Sequence, residues 1–324
     1  MLTSFLYQKG KPLETNVSRA QMFAALQQPK DTLLWVDLEN PDEFESDSLV
    51  EIFNFHPLAV EDCVSDLSSP KVDDYEEYLF LVTNAIDLSS PDKFATVELD
   101  IFLGKNYVVT FHKTRVKSVE QVRDGIQKRS DLRSIGHEAD LLVHALLDHL
   151  VDNYLPILDH YDEKIDTLEE EIFNNSAKDH LAEAMQIKRN IYSLRRIVAP
   201  QRDLLYSLSR NPTVFIKTRH MLYFRDVYDH LFRIYGIAEG YHEAISGLLQ
   251  AFFSYQSTRL NEKINRMTIL ATLSMPAVVI ASIYGMNFHH MPELDWKYGY
   301  FVSLGLMAFV SVCMLIWMKL KKWI

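Results

Sequence analysis

Cysteine is scarce in this chain of 324 residues, which contains only Cys63 and Cys313. Two distant cysteines, one of them in a strongly apolar segment, predict neither a disulfide framework nor a cysteine-based zinc site, as is typical of a reducing cytoplasm. Short catalytic signatures are also missing: there is no glycine-rich phosphate loop, no nucleophile elbow and no His-Glu-x-x-His motif. We therefore expect no catalytic residues and no enzyme.

The chain lacks an excess of positive charge. Its formal net charge is −11, and because the residues from Met267 onward carry +2, the part before them carries −13. This argues against a nucleic-acid partner, since such binding depends on neutralising phosphates. An acidic surface is compatible with cation binding, although acidic residues also simply keep a large domain soluble.

The N-terminal sequence, MLTSFLYQKG, lacks the hydrophobic region of a secretory signal. Long apolar runs occur instead near the C-terminus. Residues 267–287 contain no charged side chain, and residues 299–318 form a second uncharged run. At about 1.5 Å per helical residue, each run can span the roughly 30 Å hydrocarbon core of a bilayer. The sequence therefore predicts a transmembrane hairpin rather than two buried core helices.

Basic residues flank this hairpin on the side of the chain's two termini. Six of them lie just outside the apolar runs: Arg259, Lys263, Arg266, Lys319, Lys321 and Lys322. The loop between the runs has Lys297 against Glu293 and Asp295. By the positive-inside bias, both termini face the cytoplasm and the loop faces out. We expect a multi-pass protein of the cell inner (plasma) membrane.

Residues 1–135 predict a mixed α/β domain, so the fold class of the cytoplasmic part is α+β. Four segments rich in β-branched and aromatic residues predict strands: 33–38, 78–87, 95–103 and 107–112. Residues 43–55 and 57–64 predict short helices among these strands. Gly104-Lys105-Asn106 predicts a tight hairpin between the last two strands.

Residues 136–216 predict a cytoplasmic helical hairpin. Apolar residues recur in steps of three and four from Leu147 to Ile172, which is a heptad-like seam. Residues 174–176 interrupt the pattern, and a second amphipathic stretch runs over 181–198, before Pro200. Antiparallel pairing of the two stretches is the expected arrangement.

A third seam is longer. Apolar residues alternate in steps of three and four from Phe224 to Tyr255, and no proline lies between Pro212 and Pro276. This predicts one helix over 217–286, roughly 105 Å long. A seam of this length needs partners, and the short helical hairpin supplies few. We therefore expect several copies to bundle these helices around an axis.

Two stripes run along the membrane part of this helix. One stripe has five residues within about 60° of each other: Ile264, Ala271, Met275, Val278 and Ser282. An adjacent stripe is more polar: Asn261, Thr268 and Thr272. Either stripe could face a central axis, and either could be a helix–helix contact where small residues allow close approach. Periodicity alone does not choose between them.

The first apolar run ends in Tyr284-Gly285-Met286-Asn287, and Met291-Pro292-Glu293-Leu294 follows. Here the sequence resembles the CorA family of magnesium and cobalt transporters, whose Gly-Met-Asn signature closes the first of two C-terminal spans. His56-Pro57-Leu58 with Glu61-Asp62, and residues 223–230, also resemble family segments. The resemblance covers essentially the whole chain. It implies a funnel-shaped homopentamer whose long stalk helices continue into a pore-lining first span.

The resemblance implies a selectivity filter at Gly285, Met286 and Asn287. Mg²⁺ gives up its waters reluctantly, so a ring of neutral Asn287 carbonyls suits it by hydrogen-bonding the hydration shell. Gly285 is expected to let the chain turn out of the helix. Glu293 and Asp295 in the loop would concentrate cations at the mouth.

By the same resemblance, further pore and gate positions fall on these residues: Asn261, Ile264, Met267, Met275 and Val278. Ile264, Met267 and Met275 would form hydrophobic constrictions that gate by dewetting. Val278 stands where some members carry a pore-facing threonine.

The resemblance also implies regulatory metal sites. In the family, divalent ions bind between neighbouring subunits and hold the channel closed when internal Mg²⁺ is plentiful. The matching carboxylates are Asp62 with Asp226, and Glu61 with Asp148. Oxygen-only ligands suit a hard cation.

We therefore predict a gated channel-type transporter for divalent cations, mainly Mg²⁺ with Co²⁺ and also Ni²⁺, which passes hydrated ions along a pentamer axis and is closed by cytoplasmic Mg²⁺. Membrane lipid and further copies of the chain are its expected partners, nucleic acid is not, and it needs no cofactor beyond these ions. A zinc or multi-metal transporter of the same superfamily is the main alternative. A membrane-anchored structural coiled coil and a membrane-anchored metal-dependent enzyme are more distant ones.

This hypothesis divides the chain into successive regions. The cytoplasmic α/β domain and the helical hairpin are followed by five more parts: a stalk helix at 217–266, a pore-lining first transmembrane helix at 267–287, an external loop at 288–298, a second transmembrane helix at 299–318 and a basic cytoplasmic tail at 319–324.

Overall fold

The computed structural model describes most of the chain: residues 1–28, 32–65, 69–87, 94–128, 135, 138–172, 177–287, 289, 291 and 296–321. The chain divides into two compact units, Met1–Leu249 and Gln250–Ile324. The first unit contains a sheet with helices on both faces, followed by long helices. The second contains the two apolar segments.

A seven-stranded sheet forms the centre of the first unit. Its strands are β1 (Leu2–Gln8), β2 (Glu14–Thr15), β3 (Thr32–Glu39), β4 (Lys71–Asp74), β5 (Leu79–Ile86), β6 (Thr96–Leu103) and β7 (Tyr107–His112). Their order is β2-β1-β3-β7-β6-β5-β4, and only the β3–β7 pair is parallel. The four predicted strands are confirmed as β3, β5, β6 and β7.

The structure adds strands β1, β2 and β4, which the sequence did not indicate. β4 has the sequence KVDD and lies at the edge of the sheet, where a polar strand without apolar alternation is tolerated. The predicted hairpin between β6 and β7 is confirmed, since the Gly104 amide donates to the Tyr107 carbonyl at 3.0 Å. A β-carbon at Gly104 would collide with the Tyr107 ring, so the turn requires glycine.

Three short helices cover one face of the sheet: α1 (Arg19–Leu26), α2 (Glu43–Phe53) and α3 (Pro57–Val64). They enclose an apolar core in which the Phe55 ring stacks on Phe102 at 4.0 Å between centroids. The predicted helices at 43–55 and 57–64 are thus confirmed. The opposite face packs against α4 (Lys117–Gln127) and α5 (Ala139–Asp152).

The seam predicted over residues 147–172 forms one apolar surface, but two helices contribute to it instead of one. Helix α5 ends at Asp152, and α6 (Leu155–Glu171) begins with Pro156 in its first turn. Proline is tolerated there because amides of the first turn have no partner within the helix. The eight apolar residues of the seam are nonetheless all buried: Leu147, Leu150, Tyr154, Ile157, Tyr161, Ile165, Leu168 and Ile172.

Helix α7 (Ala177–Arg210) pairs with α6 in antiparallel fashion, as predicted. Lys164 contacts Glu183 at 3.3 Å and His180 contacts Glu171 at 3.6 Å, so one helix rises in residue number as the other falls. The prediction that this stretch ends before Pro200 is wrong, since Pro200 lies inside α7. The next residue is buried and holds the helix on its neighbours: the Gln201 side chain accepts from the Asn84 amide at 2.8 Å and donates to the Tyr154 hydroxyl at 3.3 Å.

The predicted long helix is confirmed as α8 (Met221–Tyr284), which follows a 3₁₀ turn at Thr218–His220. Its 64 residues extend about 96 Å. Its apolar seam is buried by the same chain from Phe224 to Phe252, apart from the half-buried Tyr241. Arg195 of α7 forms an ion pair with Glu239, and the Arg202 guanidinium lies 4.8 Å from the centre of the Tyr235 ring.

This packing corrects one step of the sequence argument. The seam between Phe224 and Leu249 does not require other subunits, because α7 and its neighbours already cover it. Only after Phe252 does the seam become exposed, beginning with Tyr255.

The second unit contains the end of α8 and helix α9 (Gly299–Leu320). Both α8 and α9 contain a stretch that is long and apolar enough to cross a membrane, with mean hydropathies of 1.8 and 2.3. The predicted pair of C-terminal apolar helices is therefore present.

Candidate functional site

One face of the α8 span packs against α9. The Ser311 hydroxyl of α9 donates to the Leu273 carbonyl at 3.2 Å. Residues of α8 on this face are half-buried: Leu273, Pro276, Ala277 and Ile280. The helix pair thus fixes which side of α8 is covered within a single chain.

The predicted pore positions lie on the opposite side of the same helix. At about 100° per residue, they fall between about 120° and 240° around the axis from Leu273. All five are exposed: Asn261, Ile264, Met267, Met275 and Val278. Met267 and Met275 are 75% and 63% exposed, which is far above the usual value for large apolar side chains of a single folded chain. This uncovered face is the surface on which a pore could be built.

The polar stripe beside it is partly satisfied within the helix. The Thr268 hydroxyl donates to the Ile264 carbonyl at 2.8 Å, and the Thr272 hydroxyl donates to the Thr268 carbonyl at 2.7 Å. Asn261 is exposed on the same stripe. The arrangement leaves Asn261 and the apolar stripe as the groups most open to a neighbour or to water.

The predicted filter residues lie at the end of the span and are exposed. The Gly285 amide donates to the Ala281 carbonyl at 2.9 Å, so helical hydrogen bonding continues through Gly285. Gly285 does not have a positive φ, which corrects the expectation that its conformational freedom turns the chain out of the helix. The chain leaves the helix at Met286 and Asn287 instead. The predicted mouth residues, Glu293 and Asp295, lie outside the described residues.

Asp62 is already paired with a cation of its own chain. The Lys71 ammonium donates to Asp62 Oδ2 at 2.7 Å and also contacts Asp73 Oδ2 at 2.8 Å. Partial burial acts to lower the pKa of Lys71, but the hydrogen bonds to both carboxylates outweigh it and raise the pKa. Glu61 precedes Asp62 on α3 and is exposed.

Asp148 and Asp226 come from α5 and α8 and both act on one histidine. Burial lowers the pKa of His144, and the charges of Asp148 and Asp226 oppose that effect. Burial also raises the pKa of Asp148. His144, Asp148 and Tyr223 line a cavity of about 230 Å³. Two of the four predicted carboxylates thus act electrostatically on one imidazole, which the sequence did not indicate as part of a site.

Within the described part of the chain, one group of three potential ligands has its donor atoms within 4.8 Å of each other, and it contains none of the predicted carboxylates. It consists of Glu138, Asp140 and His220. No spacing pattern in the sequence indicates this group, because about eighty residues separate its two parts. His220 Nδ1 lies 2.7 Å from Asp140 Oδ2.

The surroundings of this group favour a structural role. The Lys217 amide donates to Asp140 at 3.0 Å, and both the Lys217 ammonium and the Arg219 guanidinium pair with Glu138. Although burial opposes it, the Lys217 and Arg219 charges lower the pKa of Glu138. Two protein cations already pair with Glu138, and Asp140 is held by the Lys217 amide and the His220 ring. The group is therefore an ion-pair network that attaches the start of α8 to α5.

The comparisons with known proteins agree on one family. The profile of the CorA-like Mg²⁺ transporter protein family matches residues 30–322. The chain is 38% identical over 276 residues to the cobalt/magnesium transport protein CorA of Thermotoga maritima, covering 85% of this chain and 78% of that protein. It is 35% identical over 300 residues to YfjQ of Bacillus subtilis, covering 92% of each.

A solved structure gives the same fold. The CorA magnesium transporter from Methanocaldococcus jannaschii matches with a TM-score of 0.84 over 100% of this chain and 99% of its own, at 18% identity. At this identity the likeness shows the fold alone.

These observations define a class of membrane protein in which an α/β domain precedes a long helix and two apolar C-terminal helices. The chain belongs to the CorA-like Mg²⁺ transporter family, which confirms the resemblance seen in the sequence. It is a divalent-cation transporter of that family and not an enzyme. The predicted fold class is also confirmed for the α/β domain, the long helix and the two apolar helices.

Proposed function

We propose that the chain forms a gated channel for hydrated divalent cations, mainly Mg²⁺ with Co²⁺, and with Ni²⁺ as a lesser cargo. Five copies surround an axis, and the uncovered face of α8 lines the path. The observation that carries this proposal is that α9 covers one side of the α8 span while the opposite side exposes Ile264, Met267, Met275 and Val278. Equivalent helices of neighbouring copies would enclose that side.

Asn287 is the proposed filter residue. It is exposed at the point where the chain leaves α8, so five copies would place five amide oxygens around the axis. Neutral oxygens hydrogen-bond the hydration shell of Mg²⁺ without having to strip it. Gly285 and Met286 position this ring, and Glu293 with Asp295 attract cations to its mouth.

We assign the predicted regions to this function. Residues 1–135 and 136–216 form the cytoplasmic part, and residues 217–266 form the stalk. Residues 267–287 and 299–318 are the two membrane spans, and both termini lie on the cytoplasmic side of the plasma membrane. The inside-negative potential then drives uptake, contributing about 4.6 kcal/mol per Mg²⁺ for each 100 mV.

Closure by cytoplasmic Mg²⁺ is the regulatory part of the proposal. The ligands are Asp62 of one copy with Asp226 of the next, supported by Glu61 and Asp148. An ion that binds only the closed arrangement stabilises it increasingly as occupancy rises. Because Lys71 already pairs with Asp62, the ion must displace or share this contact. Lys71 would thus set the Mg²⁺ concentration at which the channel closes.

The test is Mg²⁺ uptake into liposomes that contain the purified full-length protein, comparing wild type with Asn287→Ala. We expect uptake in the wild type and little in the variant. Equal uptake in both would leave transport standing and discard the Asn287 filter. No uptake in either, with folded and oligomeric protein, would favour a structural anchor.

The same uptake assay distinguishes the proposed magnesium channel from a zinc or multi-metal transporter. A zinc or multi-metal transporter would carry Zn²⁺ at least as fast as Mg²⁺, whereas the proposed channel prefers Mg²⁺ and Co²⁺. Electrical conductance in a planar bilayer distinguishes a channel from both an anchor and a membrane-bound enzyme.

A further inference from the structure

A second cavity lies in the α/β domain, apart from the proposed pore and from the Asp62–Lys71 pair. Its volume is about 350 Å³. Its wall is formed by the C-terminal end of α3, strand β6 and the end of β7. Four of its side chains carry groups that bind metals: Cys63, Glu98, Asp100 and His112.

Asp100 is unusual because it is a buried carboxyl group with an unused acceptor. The residue is 1% exposed, and among the described residues its Oδ1 has no hydrogen-bond partner. Buried polar atoms in folded proteins are nearly always paired, so an oxygen without a protein partner at a cavity wall is a place where a water or a cation can bind. A cation is the natural partner of a buried carboxylate.

Cys63 stands next to this carboxyl group. The residue is 1% exposed on α3, its thiol donates to the Ala59 carbonyl at 3.2 Å, and it lines the same cavity as Asp100. Glu98 is two residues before Asp100 on β6, on the same face of the strand, and its charge acts on both groups. One thiol and two carboxylates therefore line one cavity from two separate elements. Their donor atoms do not all lie within 4.8 Å of one another, so Glu98 reaches the other two only in a different rotamer.

The remaining polar groups of the wall are engaged elsewhere. His112 uses both ring nitrogens, with Nδ1 at 2.7 Å from the Thr114 carbonyl and Nε2 at 3.1 Å from Asp37 Oδ1. The Lys113 ammonium donates to the carbonyls of Val64 and Ser65 at 2.8 and 3.1 Å, where it satisfies the end of α3. His112 therefore offers no further ligand atom, and the Lys113 charge only partly opposes burial, which raises the pKa of Asp100.

We propose that this cavity is a binding site for a thiophilic divalent cation of the Co²⁺ or Zn²⁺ type, with Cys63 and Asp100 as its first ligands and Glu98 as the third. A thiolate favours Co²⁺, Ni²⁺ and Zn²⁺ over the oxygen-preferring Mg²⁺. The site therefore distinguishes the two kinds of cargo that the family transports, which the oxygen-only pair of Asp62 and Asp226 does not. Water or a further rotamer of Glu98 completes the coordination.

The location connects this site to the regulatory carboxylate. Cys63 immediately follows Asp62 on α3, and α3 ends at Val64. A metal bound to Cys63 would fix the position of this last turn. This consequence for closure rests on the proposed function, whereas the binding itself does not.

The test uses the purified full-length protein in detergent, in the presence of excess Mg²⁺ to occupy oxygen-only sites. Co²⁺ bound to a thiolate has a strong charge-transfer absorption in the near ultraviolet. We expect this band in the wild type and in Cys313→Ser, and its loss in Cys63→Ser. Because Asp100 is a direct ligand, Asp100→Asn should bind Co²⁺ at least about tenfold more weakly, since changing even an outer-shell partner of a metal ligand costs about that much.

The chain offers a matched control because Cys63 and Cys313 are its only cysteines. A band that persists in Cys63→Ser, or one that disappears only in Cys313→Ser, would overturn the proposal. The absence of the band in the wild type would also overturn the proposal.

A second measurement does not require changing the site. In Cys313→Ser protein, Cys63 is the only thiol, and its rate of alkylation by a maleimide can be followed directly. We expect Zn²⁺ with excess Mg²⁺ to slow alkylation at least tenfold relative to Mg²⁺ alone. An unchanged rate would contradict the assignment even if the Cys63 and Asp100 variants fail to fold.

Discussion

The ammonium group of Lys71 lies 2.7 Å from a carboxylate oxygen of Asp62. A second carboxylate, that of Asp73, contacts the same nitrogen at 2.8 Å. The residue proposed to bind regulatory Mg²⁺ is therefore neutralised within its own chain. Replacing Lys71 with a neutral residue should therefore increase the affinity of Asp62 for Mg²⁺.

We predict that Lys71→Met lowers the Mg²⁺ concentration needed for closure. The shift should be up to about fivefold, since a partly exposed ion pair contributes at most about 1 kcal/mol. It is measured as the Mg²⁺ dependence of protection against protease and of uptake into liposomes. Lys105→Met, which changes an exposed lysine of the β6–β7 turn, is the control. Identical Mg²⁺ dependence in the two variants would show that Lys71 does not compete.

Asp226→Asn should weaken closure by internal Mg²⁺, because it removes one of the proposed ligands from α8. We expect protection against protease to require several-fold more Mg²⁺ than in the wild type, since a ligand loss of about 1 kcal/mol corresponds to roughly fivefold. Asp229→Asn removes an exposed carboxylate one turn along the same helix and serves as the control. Unaltered protection in Asp226→Asn would remove this residue from the regulatory site.

Val278→Thr should change the ratio of Co²⁺ to Mg²⁺ uptake. The side chain is 61% exposed on the uncovered face of α8, so a hydroxyl there would add a polar group to the proposed path. A change of about twofold or more is expected, because one hydrogen bond contributes about 0.5–1.5 kcal/mol. Val279→Thr, on the adjacent position of the helix, tests whether a polar substitution in this turn is sufficient. Equal ratios in all three proteins would exclude Val278 from selectivity.

A buried histidine should make the stability of the α/β domain depend on pH. His112 Nε2 lies 3.1 Å from Asp37 Oδ1, and both side chains are at most 2% exposed. Burial acts to lower the pKa of His112, but the hydrogen bond and charge of Asp37 outweigh it and raise the pKa above its ordinary value. The stabilisation is therefore fully present below about pH 6.5 and is lost as pH rises through the higher pKa of the folded state.

His112→Gln should remove this dependence. The difference in unfolding midpoint between wild type and variant is expected to be largest in mildly acidic buffer and to shrink in alkaline buffer. Thermal unfolding of both proteins across this range provides the measurement. A difference that stays constant with pH, or grows in alkaline buffer, would contradict the assigned direction of the pKa shift.

Local sequence patterns predicted most elements of the fold. Strands β3, β5, β6 and β7 have the β-branched and aromatic residues of buried strands, and α8 has an uninterrupted seam of apolar residues. The edge strand β4 escaped notice because a polar strand at the border of a sheet needs no apolar alternation. Pro200 misled the prediction because long-range contacts of Gln201 hold α7 together across it.

The candidate sites also differ in whether the sequence alone could indicate them. The filter segment at Gly285, Met286 and Asn287 is contiguous, so it could be found from sequence. Lys71 pairs with Asp62, and the charges of Asp148 and Asp226 both act on His144. These relationships join residues from separate elements, which no spacing pattern reveals.

The sequence by itself determined the family, the two apolar helices and the long helix, because each depends on residues that are close together along the chain. Only the tertiary structure decided which side of α8 is covered, since that depends on where α9 packs. It also decided that the seam up to Phe252 is buried by the same chain, apart from the half-buried Tyr241. Burial and charge pairing are properties of three-dimensional neighbours, and for Asp62, Asp100 and Cys63 those neighbours come from other elements of the fold.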